Sequence, residues 1–330
     1  MQFELGFLLE IIMSFEQLKL TDAEALQFLS THYDTPITEV TGLSGGNWSQ
    51  AFGFKNEDND RVVRFGKHSA DYVTDQLATR FAADNLPIPK VLEVGEFANG
   101  FFAISERAFG TMIDDLDHEG MKRIIPSLMA TLDAMRAADV SETSGFGTLN
   151  ADGKSKFDSW REMLLDVNSD ESFDKIPGWR KGLKESPVGD SPFNKAYARL
   201  VELSVDLPED RSLIHNDLMH FNVLTNNNRI TAVFDWANAM YGDFLYDLAM
   251  FVFWEPMHDP IKDIDWKGEA LKHFEKIGLE VPQFERRLQC CMIHLGLGSM
   301  AYYGFTKDWT WLEPVAARTL EVARNSCETS

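Results

Sequence analysis

Near residue 110 the apolar residues change period, and that change restricts what the chain can fold into. Before it, short β-branched and aromatic runs are cut by turn clusters. Two strands within Val40–Phe54 flank a Gly/Ser turn, Arg61–Phe65 follows the polar turn Asn56–Asp60, and Val91–Phe97 and Phe101–Ser105 flank Ala98-Asn99-Gly100. Helices are predicted over Thr21–His32, with Thr21 as cap, and over Ala70–Asn85, ending ahead of Pro87. Beyond residue 110 the spacing predicts helices over 121–138, 194–205, 268–277, 283–303 and 309–327, interrupted by one β region over 213–235. The expectation is an α+β chain with a small β-rich lobe, 1–106, and a larger, mostly helical lobe, 107–330.

That interrupting β region carries the chemistry. In Leu213-Ile214-His215-Asn216-Asp217-Leu218-Met219-His220-Phe221-Asn222-Val223-Leu224, apolar pairs bracket a polar cluster. Ile230-Thr231-Ala232-Val233-Phe234-Asp235-Trp236 then reads as a buried strand that delivers a carboxylate at its end. Phosphoryl transfer needs such an inventory, because a metal ion must neutralise charge on the moving group. Asn222 and Asp235 offer oxygens suited to Mg²⁺. Asp217 can accept or orient the acceptor's hydroxyl proton, with His215 holding the loop. His-x-Asp, four residues, then Asn is also the catalytic-loop spacing of protein kinases. Two other readings stay open. Asp-x₄-Asn also serves as turn chemistry, and His215, Asp217 and His220 could form part of a zinc site.

Composition narrows the partners. With 52 acidic residues against 31 basic, the formal charge is −21. No nucleic-acid partner is expected, since binding one needs a clustered basic face, whereas cationic small molecules are attracted. Three cysteines, two of them the adjacent Cys290 and Cys291, make no disulfide framework, and a cytoplasmic setting is expected. The apolar start, 1–13, holds Glu4 and Glu10 and no basic residue. It fits neither a signal peptide nor a membrane span, so no membrane partner is expected. Met13 offers a second candidate start.

The motifs resemble the aminoglycoside phosphotransferase family. The resemblance rests on His215-Asn216-Asp217 with Asn222-Val223-Leu224, on Ile230 to Trp236, and on Gly242-Asp243 with Tyr246-Asp247-Leu248-Ala249. Leu86-Pro87-Ile88-Pro89, Thr143 to Gly147 and Phe253-Trp254 support it, and within the family it is nearest to the hygromycin B phosphotransferases. It implies a protein-kinase-like bilobal fold whose small lobe binds ATP, with GTP as an alternative, together with Mg²⁺. It implies Asp217 as catalytic aspartate and Asn222 and Asp235 as metal ligands. Ser44, Gly45, Gly46 and Asn47 become the turn over the phosphates, and Glu106, Arg107 and Ala108 the hinge whose main chain meets the purine. Where kinases carry a Lys, this chain has Arg64, favoured over Lys67 as the phosphate ligand, with Asp71 or Asp75 as its acidic partner.

The acceptor implied is a cationic hydroxylated molecule, an aminoglycoside or aminocyclitol antibiotic such as hygromycin B. Asp217, Trp236, Asn238, Trp254 and Glu255 are expected to meet it. The loop 218–221 is more apolar than in the hygromycin B branch. A metabolic kinase on the same fold, acting on choline, a fructosamine, homoserine or methylthioribose, is the alternative, and a non-catalytic binder is the third. A monomer or weak dimer is expected.

Overall fold

The computed structural model describes residues 20–43, 49–169, 176–219 and 222–325. These fall into two compact units, one from 1–115 with 220–237 and the other from 116–219 with 238–330.

The first unit is built on five antiparallel strands: β1 (Ile37–Leu43), β2 (Ser49–Asn56), β3 (Asn59–Gly66), β4 (Val91–Phe97) and β5 (Gly100–Glu106), in the order β1-β2-β3-β5-β4. Helix α1 (Asp22–His32) precedes them, opened by a capping box in which Thr21 and Glu24 satisfy each other's backbone amides. Its Ala25 and Leu29 are buried with Phe52, Phe54, Val63, Phe65, Phe102 and Ile104. Phe28 meets Phe65, Phe97 and Phe102 edge-on at 4.9–5.3 Å, the geometry aromatic quadrupoles favour. Helix α2 (Ser69–Ala78) is shorter than expected. A 3-10 turn, Thr79–Phe81, replaces its last turns, and Ala83 and Leu86 exchange backbone hydrogen bonds ahead of Pro87.

The first unit runs on to residue 115, past the change of period near 110. Strand β6 (Thr111–Met112) pairs with β9 (Val223–Asn226), which pairs with β10 (Arg229–Val233). The Val233 N–H also donates to Pro87 O at 2.8 Å. These backbone bonds make the 222–237 segment part of the first unit, although the sequence around it is helical.

The second unit contains α3 (His118–Arg136), α4 (Trp160–Asp166), α5 (Trp179–Glu185), α6 (Ser191–Leu203), α7 (Leu245–Trp254), α8 (Trp266–Ile277), α9 (Phe284–Thr306) and α10 (Trp309–Arg324). A small sheet joins β7 (Gly147–Thr148), β11 (Met240–Gly242) and β8 (Ser212–Ile214) in that order. Helix α9 is the core element, with Leu288, Cys290, Cys291, Ile293, Leu297, Met300 and Ala301 all buried. It approaches α5 so closely that a Cβ on Gly182 would lie 2.0 Å from Gly304 O. Buried Arg287 on α9 holds Asp243 through two bonds of 2.8 Å, and Asp243 in turn accepts from the Leu245 N–H at the start of α7. Among the described residues no helix is long and apolar enough to cross a membrane.

Candidate active site

In the second unit, β8 is buried along its length and delivers the loop His215–Met219. What holds that loop is a carboxylate from the first turn of α7. Asp247 Oδ2 accepts from the His215 N–H and Oδ1 from the Asn216 N–H, both at 2.8 Å. Burial pushes the Asp247 carboxyl above the usual carboxylate range, opposed by His215 and the two amide bonds. Asn216 sits at φ +65°, a left-handed conformation that Asn tolerates better than most residues. The Asp217 N–H donates to His215 Nδ1 at 3.2 Å, so a neutral ring carries its proton on Nε2. His215 is fully buried. Asn238 is exposed; its Nδ2 donates to Asp217 Oδ2 at 3.4 Å, and its carbonyl accepts from Asn216 Nδ2 at 3.3 Å.

In the first unit, the β9–β10 hairpin brings Asn222 and Asp235 to its open end. The Phe234 N–H donates to Asn222 O at 3.0 Å, one residue before Asp235. Asn222 is buried, and Asp235 is partly exposed at φ +61°. One carboxylate and one carboxamide fit Mg²⁺, which takes one or two protein oxygens and completes its shell with phosphate oxygens and water. Among the described residues no three His, Cys, Asp or Glu side chains gather as a metal cluster. His220, the third ligand of a zinc reading, lies outside the described residues.

Arg64 on β3 pairs with Asp75 on α2, not with Asp71. Its guanidinium carbon also lies 5.2 Å from the centre of the Tyr72 ring, one turn before Asp75. Asp75 is buried, and its other oxygen accepts from the Trp236 N–H at 2.6 Å. Ser44, Gly45, Gly46 and Asn47 lie outside the described residues. At the end of β5, the Glu106 N–H donates to Lys90 O at 3.0 Å and the Arg107 N–H to Asp60 O at 3.3 Å. Those two amides are thereby used within the unit. The Arg107 guanidinium stacks over Phe109, its carbon 4.9 Å from the ring centre.

Two residues expected to meet the acceptor are largely buried. Trp236 is 1% exposed and donates from Nε1 to Val233 O at 3.2 Å, so it is a packing residue. Trp254, at 6% exposed, is packed against Phe253, His258 and Trp311. The more accessible rings of that cluster went unread in the sequence. Trp311 lies parallel to His258 at 5.6 Å and to Tyr303 at 6.4 Å, and all three are partly exposed. They come from three separated segments, so no local motif could reveal them. Glu255 is partly exposed, with Oε1 accepting from the Asp263 N–H at 2.5 Å. Arg318 fixes this corner by donating to the Phe253 and Val252 carbonyls at the end of α7.

Residues 39–275 match the phosphotransferase enzyme family. The chain is 31% identical to hygromycin-B 4-O-kinase of Escherichia coli over 284 residues, which is 86% of this chain and 79% of that protein. A thermostable mutant of aminoglycoside phosphotransferase APH(4)-Ia, in ternary complex with AMP-PNP and hygromycin B, superposes with a TM-score of 0.78 at 29% identity, covering 90% of this chain and 97% of that one. A further structure of APH(4)-Ia gives 0.79 at 27%, covering 93% and 100%. The gentamicin complex of APH(2")-IIa, at 16% identity and 0.62 over 92% and 97%, shares the fold.

Proposed function

The chain belongs to the phosphotransferase enzyme family, and from that premise we propose that it moves the γ-phosphate of ATP, or of GTP, onto a hydroxyl of an aminoglycoside or aminocyclitol such as hygromycin B. The observation that carries this reading is Asp217, a carboxylate on a loop whose two preceding amides are clamped by buried Asp247. A base held at a fixed place loses little entropy in taking the hydroxyl proton. Asn238 donates to one oxygen of Asp217 and so helps to fix the direction of the carboxylate.

Asn222 and Asp235 would hold Mg²⁺. Bound there, Mg²⁺ supplies charge neutralisation to the transferring phosphoryl group. Arg64 offers its planar fork to phosphate oxygens, and the Ala108 amide offers a donor to the purine.

Support for a cationic, sugar-like acceptor comes from the partly exposed rings Tyr303, Trp311 and His258, with the partly exposed carboxylate Glu255 three residues before His258 in the chain. Aromatic faces stack on sugar rings and attract ammonium groups, and the net charge of −21 favours capture of a cation. The test is ADP or GDP release by the purified protein across a panel containing hygromycin B, other aminoglycosides, choline, a fructosamine, homoserine and methylthioribose. Turnover confined to aminoglycosides is the expected result. Turnover confined to one of the metabolites would move the enzyme to another branch of the family.

A further inference from the structure

Resting on the phosphotransferase reading, we infer that Asp75 is a positioning residue with two duties, holding Arg64 for the nucleotide phosphates and holding the Asp235–Trp236 turn for the metal. The observation is one buried carboxylate whose two oxygens serve different elements. Oδ2 faces Arg64 on β3, and Oδ1 accepts from the Trp236 N–H at 2.6 Å. Asp75 is 4% exposed, so water cannot replace either partner cheaply.

The sequence context makes each half necessary. Arg64 projects from β3 toward α2, where Tyr72 and Asp75 stand three residues apart and so lie on one helix face. The ring supports the guanidinium plane and the carboxylate fixes its direction. On the other side, Asp235 occupies φ +61°, a backbone state that a non-glycine residue keeps only when its neighbours hold it. The amide of the next residue is the group that Asp75 grips. Below the turn, Trp236 is anchored again through Nε1 to Val233 O, so the peptide between Asp235 and Trp236 is held by Asp75 and the ring by β10. Shift Asp75, and both the phosphate ligand and the metal ligand lose their reference point.

The consequence is a coupling between Mg²⁺ and nucleotide binding that a simple Arg–Asp ion pair lacks. It is read without turnover and without acceptor, by calorimetric titration of AMP-PNP in MgCl₂ and in EDTA. The quantity is the Mg²⁺ gain, the ratio of the two dissociation constants. Arg64→Lys keeps a charge beside Asp75 but loses the fork; it should weaken AMP-PNP about five-fold in EDTA and keep the wild-type gain. Asp75→Glu keeps the charge beside Arg64 but its longer arm moves the second oxygen off the Trp236 amide. It should bind AMP-PNP in EDTA within about two-fold of wild type and lose about five-fold or more of the gain, the worth of one buried hydrogen bond.

Asp75→Ala, which satisfies neither donor, serves if Asp75→Glu does not fold, and should weaken AMP-PNP in EDTA and lose the gain as well. An Asp75 variant that retains the wild-type gain overturns the inference, as does Arg64→Lys losing the gain in equal measure. Failure of the wild-type protein to bind AMP-PNP at all would instead overturn the phosphotransferase reading on which the inference stands.

Discussion

Asp247 Oδ2 accepts the backbone N–H of His215 at 2.8 Å, and through this bond helix α7 dictates where the Asp217 loop lies. The second oxygen accepts from Asn216. Asp247→Asn presents an NH₂ group to one of these two amides, leaving two buried donors opposed. We expect a loss of roughly 1–3 kcal/mol in stability and a turnover lower by about a hundred-fold, because a loop displaced by about an ångström misplaces its base. Chemical denaturation and steady-state kinetics on the same preparation check both numbers.

The metal ligand should behave differently from the base. Asp235→Ala is expected to weaken Mg²⁺-dependent AMP-PNP binding by about ten-fold or more, with little effect on binding in EDTA, since the only carboxylate of the Asn222–Asp235 pair is gone. A variant whose Mg²⁺ dependence matches that of the wild type would remove Asp235 from the metal site.

The buried ion pair of the second unit makes a stability prediction. Arg287 and Asp243 are 3% and 2% exposed at their side chains and meet in a fork. Asp243→Ala strands the guanidinium and also removes the acceptor of the Leu245 amide. It should cost about 3–5 kcal/mol, measured as a shift in the urea midpoint at constant slope. Replacing both residues with apolar side chains of similar volume should cost less than that single change.

Acid sensitivity should trace in part to His294 on α9. Its Nδ1 lies 2.7 Å from the Tyr246 hydroxyl, and burial pushes its pKa down from 6.5 to about 4, opposed by Asp166. A depressed pKa means that the unfolded chain binds the proton first. The neutral ring's stabilisation is complete above pH 6.5 and is lost as pH falls towards 4. Over that window the loss from this group is roughly 3 kcal/mol. Urea midpoints at pH 7 and pH 4.5 should therefore converge more closely in His294→Gln than in the wild type.

Much of this organisation was legible before any coordinates. The strands of the first unit show as β-branched and aromatic runs cut by turn clusters, and the Asp217 loop announces itself because its polar cluster is pinned by apolar pairs on both sides. The rest was hidden for identifiable reasons. Helix α7 is apolar on nearly every face, so its sequence carries no helical period. The carboxylate it contributes, Asp247, could be noted as part of a motif but not given a job. Asp71 and Asp75 stand one turn apart on one helix, and only the docking of α2 on β3 chooses between them. Trp236 beside a metal-binding Asp looks like the wall of a pocket; burial, which the sequence does not print, makes it a packing residue. The ring stack of His258, Trp311 and Tyr303 joins segments about 50 residues apart, beyond the reach of any local pattern.

The most direct test is the rate of phosphate transfer to hygromycin B by Asp217→Ala under saturating Mg²⁺–ATP. The account predicts a rate lower than the wild type by at least about a hundred-fold, with AMP-PNP affinity within about two-fold of the wild type. A variant that keeps most of the wild-type rate contradicts it, and so does a wild-type protein that transfers no phosphate to any aminoglycoside.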